Sequence, residues 1–216
     1  MANLYTTALL LARITVFYNI AEGVVSVFFG AADETLSLFG FGVDSFVEVV
    51  SGVGIWHMIS RMMRHPGSNP DSFERTALRI TGTAFYVLAA GLVVTALINL
   101  HTGQRPENTF WGIVISLISI VTMWLLIHFK LKVGRALQSD AIIADANCTQ
   151  TCLYLSFVLL ISSLGYELTG IGWFDSLGAV AIAVFSYREG KEAFEKAKGK
   201  SGSCRDCHSG IQINCK

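Results

Sequence analysis

The chain has 216 residues, of which 52% are hydrophobic and only 15% charged, with 16 basic and 16 acidic side chains and a formal net charge of zero. A soluble domain carries about 25% charged residues and the mean hydropathy here is +0.53, so the composition points to a membrane protein, with no whole-chain field for nucleic acid. The five cysteines, at 148, 152, 204, 207 and 215, are odd in number and bunched, which argues against a disulfide framework.

Roughly 20 apolar residues in a helix cross a hydrocarbon core. In chain order, six stretches qualify: 8–30, 37–60, 76–100, 109–130, 142–164 and 170–193. The first contains Arg13, Asn19 and Glu22 and runs on towards a second apolar segment, so it reads as a retained helix and not as a removable signal. Pro66, Pro70 and Pro106 all fall between stretches, where a helix can stop without losing internal bonds. The fold class expected is an all-α integral membrane protein of six transmembrane helices over 1–195, with a short Cys/His-containing tail over 196–216.

Lys and Arg set the orientation. Arg61, Arg64, Arg75 and Arg79 flank the connection between spans two and three. Lys130, Lys132 and Arg135 flank that between four and five, and the C-terminal end holds Arg188, Lys191, Lys196, Lys198, Lys200, Arg205 and Lys216. The opposite loops ("AADET", "GQRPEN", "GYELTG") hold Arg105 alone. The positive-inside rule then places both termini in the cytoplasm of a multi-pass protein of the cell (inner) membrane.

Polar residues inside the spans carry the functional signal. "GVDSFVEVVSG" puts Asp44 and Glu48 four residues apart, on one helical face. Charge at mid-membrane needs a partner, a water-filled cavity or a function. The bland alternative is a pair of protonated acids bonding neighbouring helices, but two adjacent acids are more than packing requires. In span five, Cys148 and Cys152 repeat the spacing, with Asp145 on the same side. A lone buried Cys is a small hydrophobe; two at helical spacing weaken that reading. Counting 1.5 Å per residue from opposite ends, Asp44 and Glu48 lie roughly 10 and 17 Å deep, and Cys148 and Cys152 roughly 10 and 15 Å. If spans two and five touch, two carboxylates and two thiolates meet near the midplane, a set that suits tetrahedral Zn²⁺.

At these residues the chain resembles the cation diffusion facilitator family, which has six transmembrane helices and a four-residue ligand set on helices two and five. "DSFVE" is similar to the family's helix-two pattern. "ADANCTQTC" sets Cys148 and Cys152 where the family has His and Asp, and "ERTALRITG" and "WFDSLGAVAIA" also resemble it, over about residues 10 to 195. The family usually adds a cytoplasmic ferredoxin-like metal-sensing domain after helix six. Only about twenty residues follow here, so the chain resembles a short branch made of the membrane domain alone. The resemblance implies export of a divalent cation against inward proton flow, by a homodimer and with no organic cofactor. The chemistry agrees with exchange. Four ionised ligands cannot stay charged in a low-dielectric site when empty, and metal binding needs deprotonated ligands and so expels protons. The S₂O₂ donor set favours Zn²⁺ or Cd²⁺ as the transported substrate, with Hg²⁺ and Fe²⁺ behind.

Smaller expectations attach to other positions. Asp140 and Asp145 either funnel cations at the inner mouth of span five or are solvated helix-start acids. Asn19 and Glu22 read as interhelical bonding partners before a proton relay, and Asp175 as a helix-start residue. His57 and His128 sit near helix ends, and His65 and Asp71 form a loose loop pair. In the tail, Cys204, Cys207, His208 and Cys215 either collect soft metal or bind nothing. Two competing functions are a membrane thiol oxidoreductase, which cysteines at i, i+4 in a helix do not suit geometrically, and a metal-responsive receptor acting through the tail.

Overall fold

The computed structural model describes residues 2–64, 72–103, 105–137 and 140–198. These form six helices: α1 Ala2–Ala32, α2 Leu36–Arg64, α3 Ser72–Thr102, α4 Phe110–Leu137, α5 Asp140–Thr169 and α6 Trp173–Ala197. Each coincides with one predicted span. All run a few residues past it at the end of the bundle where the chain termini lie. There the last turns carry Arg61, Arg64 and Arg135. Such turns are too polar to count as hydrocarbon-crossing, yet they keep their backbone bonds.

Five helices, α1 to α5, are long and apolar enough to cross a membrane. The sixth is apolar from Trp173 to Tyr187, apart from Asp175, but then carries Arg188, Glu189, Lys191, Glu192 and Glu195. The molecule is thus an all-α, multi-pass membrane protein. Its outward faces are apolar along much of their length: Phe17 and Phe28 on α1, Val87 and Leu97 on α3, and Val121 and Trp124 on α4 are all exposed. A soluble protein rarely shows so much continuous apolar surface.

The helices α1, α2, α4 and α5 form a ring, each in contact with its two neighbours. An α3–α6 pair packs onto it through α2 and α5. The α1–α2 contact is close because Gly23, Gly30 and Gly42 carry no side chain there; a Cβ on Gly42 would lie 2.7 Å from the Val27 amide nitrogen. Gly23 and Gly30 therefore serve packing within the chain. Tight connections close the end away from the termini. Glu34 adopts φ 53 between α1 and α2, and Gly103 and Gly170, at φ 68 and 66, follow the last residues of α3 and α5. That left-handed conformation satisfies helix-terminal carbonyls and costs glycine least.

Asp175 lies in the first turn of α6, as expected, but its carboxylate serves another helix. Oδ2 accepts the Leu36 N–H at 2.8 Å, and Oδ1 accepts the Ser37 N–H at 3.0 Å and its hydroxyl at 2.5 Å. An acid from α6 thus caps α2, meeting the unpaired amides and positive dipole end of that helix.

The apolar core is split. One cluster gathers Leu38, Phe41, Leu92, Leu159 and Ile182 towards the loop end. The other gathers Leu11, Ile59, Met123, Val133 and Ile142 towards the terminal end.

Lys130 and Asp145 depart from expectation. Lys130 is not an interfacial charge but is 1% exposed, and its Nζ lies 3.0 Å from Asp145 Oδ2 and donates to Thr149 Oγ1 at 2.8 Å. Asp145 is therefore neither a solvated helix-start acid nor an open funnel. The helix α5 continues a full turn before it and turns it inward against α4. Asp140 opens α5. Removing one partner of a buried ion pair costs about 3–5 kcal/mol, whereas replacing both with apolar residues is often neutral. Lys130→Met should accordingly lower the thermal unfolding midpoint in detergent sharply, and Lys130→Met/Asp145→Leu should recover most of the loss. Equal loss in both variants would contradict the pairing.

Candidate functional site

Between the two apolar clusters lies a layer of buried and half-buried polar side chains. Its centre is the half-buried Glu48, the thirteenth residue of the 29 in α2, which meets Cys152, the thirteenth of the 30 in α5. The Cys152 thiol donates to Glu48 Oε1 at 2.6 Å. The other carboxylate oxygen, Oε2, accepts from Asn19 Nδ2 on α1 at 3.1 Å. Three helices are thereby tied through one side chain, near the middle of each. A medium without water leaves a polar group no alternative partner, so each bond here constrains helix position.

Asp44 sits one turn from Glu48 and is 2% exposed. Its Oδ1 accepts from the Ser186 hydroxyl on α6 at 2.8 Å. Glu22 on α1 accepts from Tyr18 at 2.9 Å and from Ser45 on α2 at 3.1 Å. Ser119 of α4 and Ser156 of α5 share a bond of 2.8 Å in the same layer. Glu189 on α6 accepts from Thr151 on α5 at 3.0 Å. Four acids from three helices thus share one region of low dielectric, with hydroxyl, thiol and amide donors arranged around them.

Of the four residues expected to act together, the structure joins Glu48 and Cys152 directly. Cys148 is half-buried one turn away on α5, and its carbonyl lies 3.5 Å from the Cys152 sulfur. Asp44 points its bonded oxygen towards α6. Among the described residues, no three His, Cys, Asp or Glu side chains stand close enough to hold a metal ion together. Cys148 and Cys152 are thiols, not a disulfide. His128 is exposed and stacks on Trp124 at 6.2 Å, and His57 is half-buried in α2. Cys204, Cys207, His208, Cys215, His65 and Asp71 lie outside the described residues.

Sequence reading missed Ser186, Thr151 and Glu189. A serine in an apolar run signals only that some polar group faces it. Glu189 reads as one charge among several at the end of a span. Asn19 and Glu22 do make interhelical bonds, both to α2.

Comparison with known proteins adds the following. Residues 8–197 match the cation efflux transmembrane domain. An uncharacterised transporter of Methanocaldococcus jannaschii is 25% identical over 170 residues, 77% of this chain and 60% of that protein. Transmembrane protein 163 of Xenopus laevis is 26% identical over 178 residues, 81% of this chain and 60% of that protein. The chain thus spans about three fifths of the length of these relatives.

Burial distinguishes the two span-five thiols. Cys152 is 6% exposed and engaged with Glu48, while Cys148 is half-buried. In variants keeping only one of the five cysteines, a maleimide should modify Cys148 at least about tenfold faster than Cys152, since thiol reactivity follows access. Equal rates would mean that Cys152 does not face the bundle interior.

Proposed function

We infer a function from one established premise: the chain belongs to the cation efflux (cation diffusion facilitator) family, whose transmembrane domain its residues 8–197 match. Family membership makes it a cation transporter and not an enzyme. Beyond that, we propose a proton-coupled antiporter that exports divalent heavy-metal cations, Zn²⁺ or Cd²⁺ foremost, from the cytoplasm. The proposed cargo site is Asp44 and Glu48 of α2 with Cys148 and Cys152 of α5.

The contact between Glu48 and Cys152 carries this reading. It joins an oxygen donor, half-buried, and a sulfur donor, buried, from two helices halfway along both. Asp44 and Cys148 each lie one helical turn from that contact on their own helix. A small inward rotation of α2 and α5 would add them, and alternating access of the kind found in secondary transporters supplies such movements. The donors explain the coupling. A carboxylate and a thiolate bind a cation only without their protons, and four acids in one apolar region cannot all be charged unless a cation is present. Cation entry therefore drives protons off, and proton entry drives the cation off. Sulfur favours borderline and soft ions and oxygen harder ones, so a mixed set selects Zn²⁺ and Cd²⁺ over Mg²⁺ and Mn²⁺.

The remaining parts of the reading follow from the ends of the bundle. The described basic side chains near the terminal end, from Arg61 to Lys198, against Arg105 at the loop end, support cytoplasmic termini. In that orientation the charged part of α6 beyond Glu189 extends into the cytoplasmic interface, and the apolar part before it makes the sixth crossing. The dimer is taken from the family. The tail set Cys204, Cys207, His208 and Cys215 is proposed only as a soft-metal collector.

The test is metal flux into inverted proteoliposomes under an imposed pH gradient. The parent should move Zn²⁺ and Cd²⁺ only with the gradient. Asp44→Ala and Cys148→Ser/Cys152→Ser should each lower the rate by at least about tenfold, and the cysteine variant should lose Cd²⁺ flux more than Zn²⁺ flux. Calorimetry in buffers of different ionisation heat should record proton release on binding, with affinity rising as pH rises, because fewer protons then compete. Parent-like flux in both variants, or binding without proton release, would sink the proposal.

A further inference from the structure

We propose that Asn19, on α1, is a positioning residue that confines Glu48 to one oxygen donor and thereby sets which cations the site accepts. The inference rests on the reading of Glu48 as a cargo ligand and extends the site to a helix outside α2 and α5.

The two oxygens of Glu48 face different helices. Oε1 faces α5 through Cys152, and Oε2 faces α1 through Asn19 Nδ2. A cation held between α2 and α5 approaches Oε1. To bind both oxygens it would have to share Oε2 with the Asn19 amide, which takes one of that oxygen's two lone pairs and is 2% exposed among buried neighbours. The amide cannot swing out to water, so Oε2 is the crowded and weakened donor and Oε1 the one a cation meets first.

A second observation shows what Asn19 is for. Its own carbonyl oxygen, Oδ1, is buried with no hydrogen-bond partner among the described residues. Leaving such an acceptor unsatisfied is unfavourable, and an apolar residue of the same shape would avoid it. Packing therefore favours leucine at this position over asparagine. What asparagine adds is the N–H directed at Glu48.

Denticity bears on selectivity. Four-coordinate Zn²⁺ is content with one oxygen from each carboxylate. Larger, harder cations take more oxygen ligands and use two-oxygen carboxylates to reach them. Holding Oε2 away keeps the oxygen count low and disfavours Mn²⁺ and Ca²⁺. Groups that orient a metal ligand without touching the metal are worth about 10- to 100-fold in affinity.

Two measurements test this on the full chain. In proteoliposomes, Asn19→Leu should raise the Mn²⁺-to-Zn²⁺ flux ratio about tenfold over the parent. A fall of both fluxes in equal proportion would assign Asn19 a purely structural role and overturn the inference. The second measurement needs no Asn19 variant. Infrared difference spectra of the parent with and without Zn²⁺ should contain one carboxylate band pair that is lost in Glu48→Gln. Its asymmetric and symmetric stretches should be widely separated, as for one-oxygen binding; the narrow separation of two-oxygen binding would overturn the inference. Failure of the underlying reading looks different: Glu48→Gln would then carry Zn²⁺ at the parent rate and alter no zinc-dependent band.

Discussion

The constraint on which the rest of this molecule depends is the burial of carboxylates between apolar helices. Lipid and side chains offer no solvation, so each acid must find donors within the protein or remain neutral. Glu48 draws one donor from α1 and one from α5, Asp44 draws one from α6, and Glu22 draws one from its own helix and one from α2. The interior polar layer is therefore what orders α1, α2, α5 and α6 around one another. In an apolar medium, hydrophobic burial cannot do this, because lipid tails are as apolar as leucine. Close glycine contacts bring α1 and α2 together, and the polar bonds decide how the helices are turned.

That division explains what could be read from the sequence. Span number and approximate ends were legible because runs of apolar residues are a one-dimensional signal. The pairing of Asp44 with Glu48, and of Cys148 with Cys152, was legible from spacing alone. Rotation of each helix about its axis was not. A helix that is apolar on nearly every side has no distinct face from which to infer its neighbours. Hence Ser186, a single hydroxyl in "AVFSYRE", gave no sign of meeting Asp44 from 142 positions away. Asn19 could be expected to bond another helix, but nothing in its surroundings named Glu48. Lys130 was misread for a related reason. A lysine next to a run of basic residues looks interfacial, and only the three-dimensional path of α5 reveals that Asp145 awaits it inside.

The two ends of the bundle are tied by different chemistry. At the loop end, Asp175 caps α2, Thr35 donates to the Asn108 carbonyl, Tyr166 to that of Pro106, and Thr109 to Glu167. These bonds link all six helices or the loops between them, and three use backbone groups: the Leu36 amide in the first turn of α2 and the Asn108 and Pro106 carbonyls in the loop between α3 and α4. Towards the terminal end, among the described residues, α4 and α5 are joined by the buried ion pair of Lys130 and Asp145, with apolar packing around it.

The residues that carry the chemistry coincide with the region shared with other proteins. Every member of the polar layer, from Tyr18 to Glu189, falls within the family match over 8–197. Lys130, Asp145 and Asp175 fall there too, so the matched segment contains both the acids and the groups that position them. A transport cycle that exchanges a cation for protons needs ligands whose protonated and metal-bound forms are both tolerated by their surroundings. Hydroxyl, thiol and amide partners meet that need, because they donate to a carboxylate and add no fixed positive charge. A lysine or arginine beside Glu48 would hold it ionised and would compete with the cation for it. In the layer around Glu48 the described partners Asn19, Cys152, Ser45 and Ser186 are neutral, while the buried ammonium of Lys130 bonds Thr149 and Asp145, about one and two turns from Cys152 along α5.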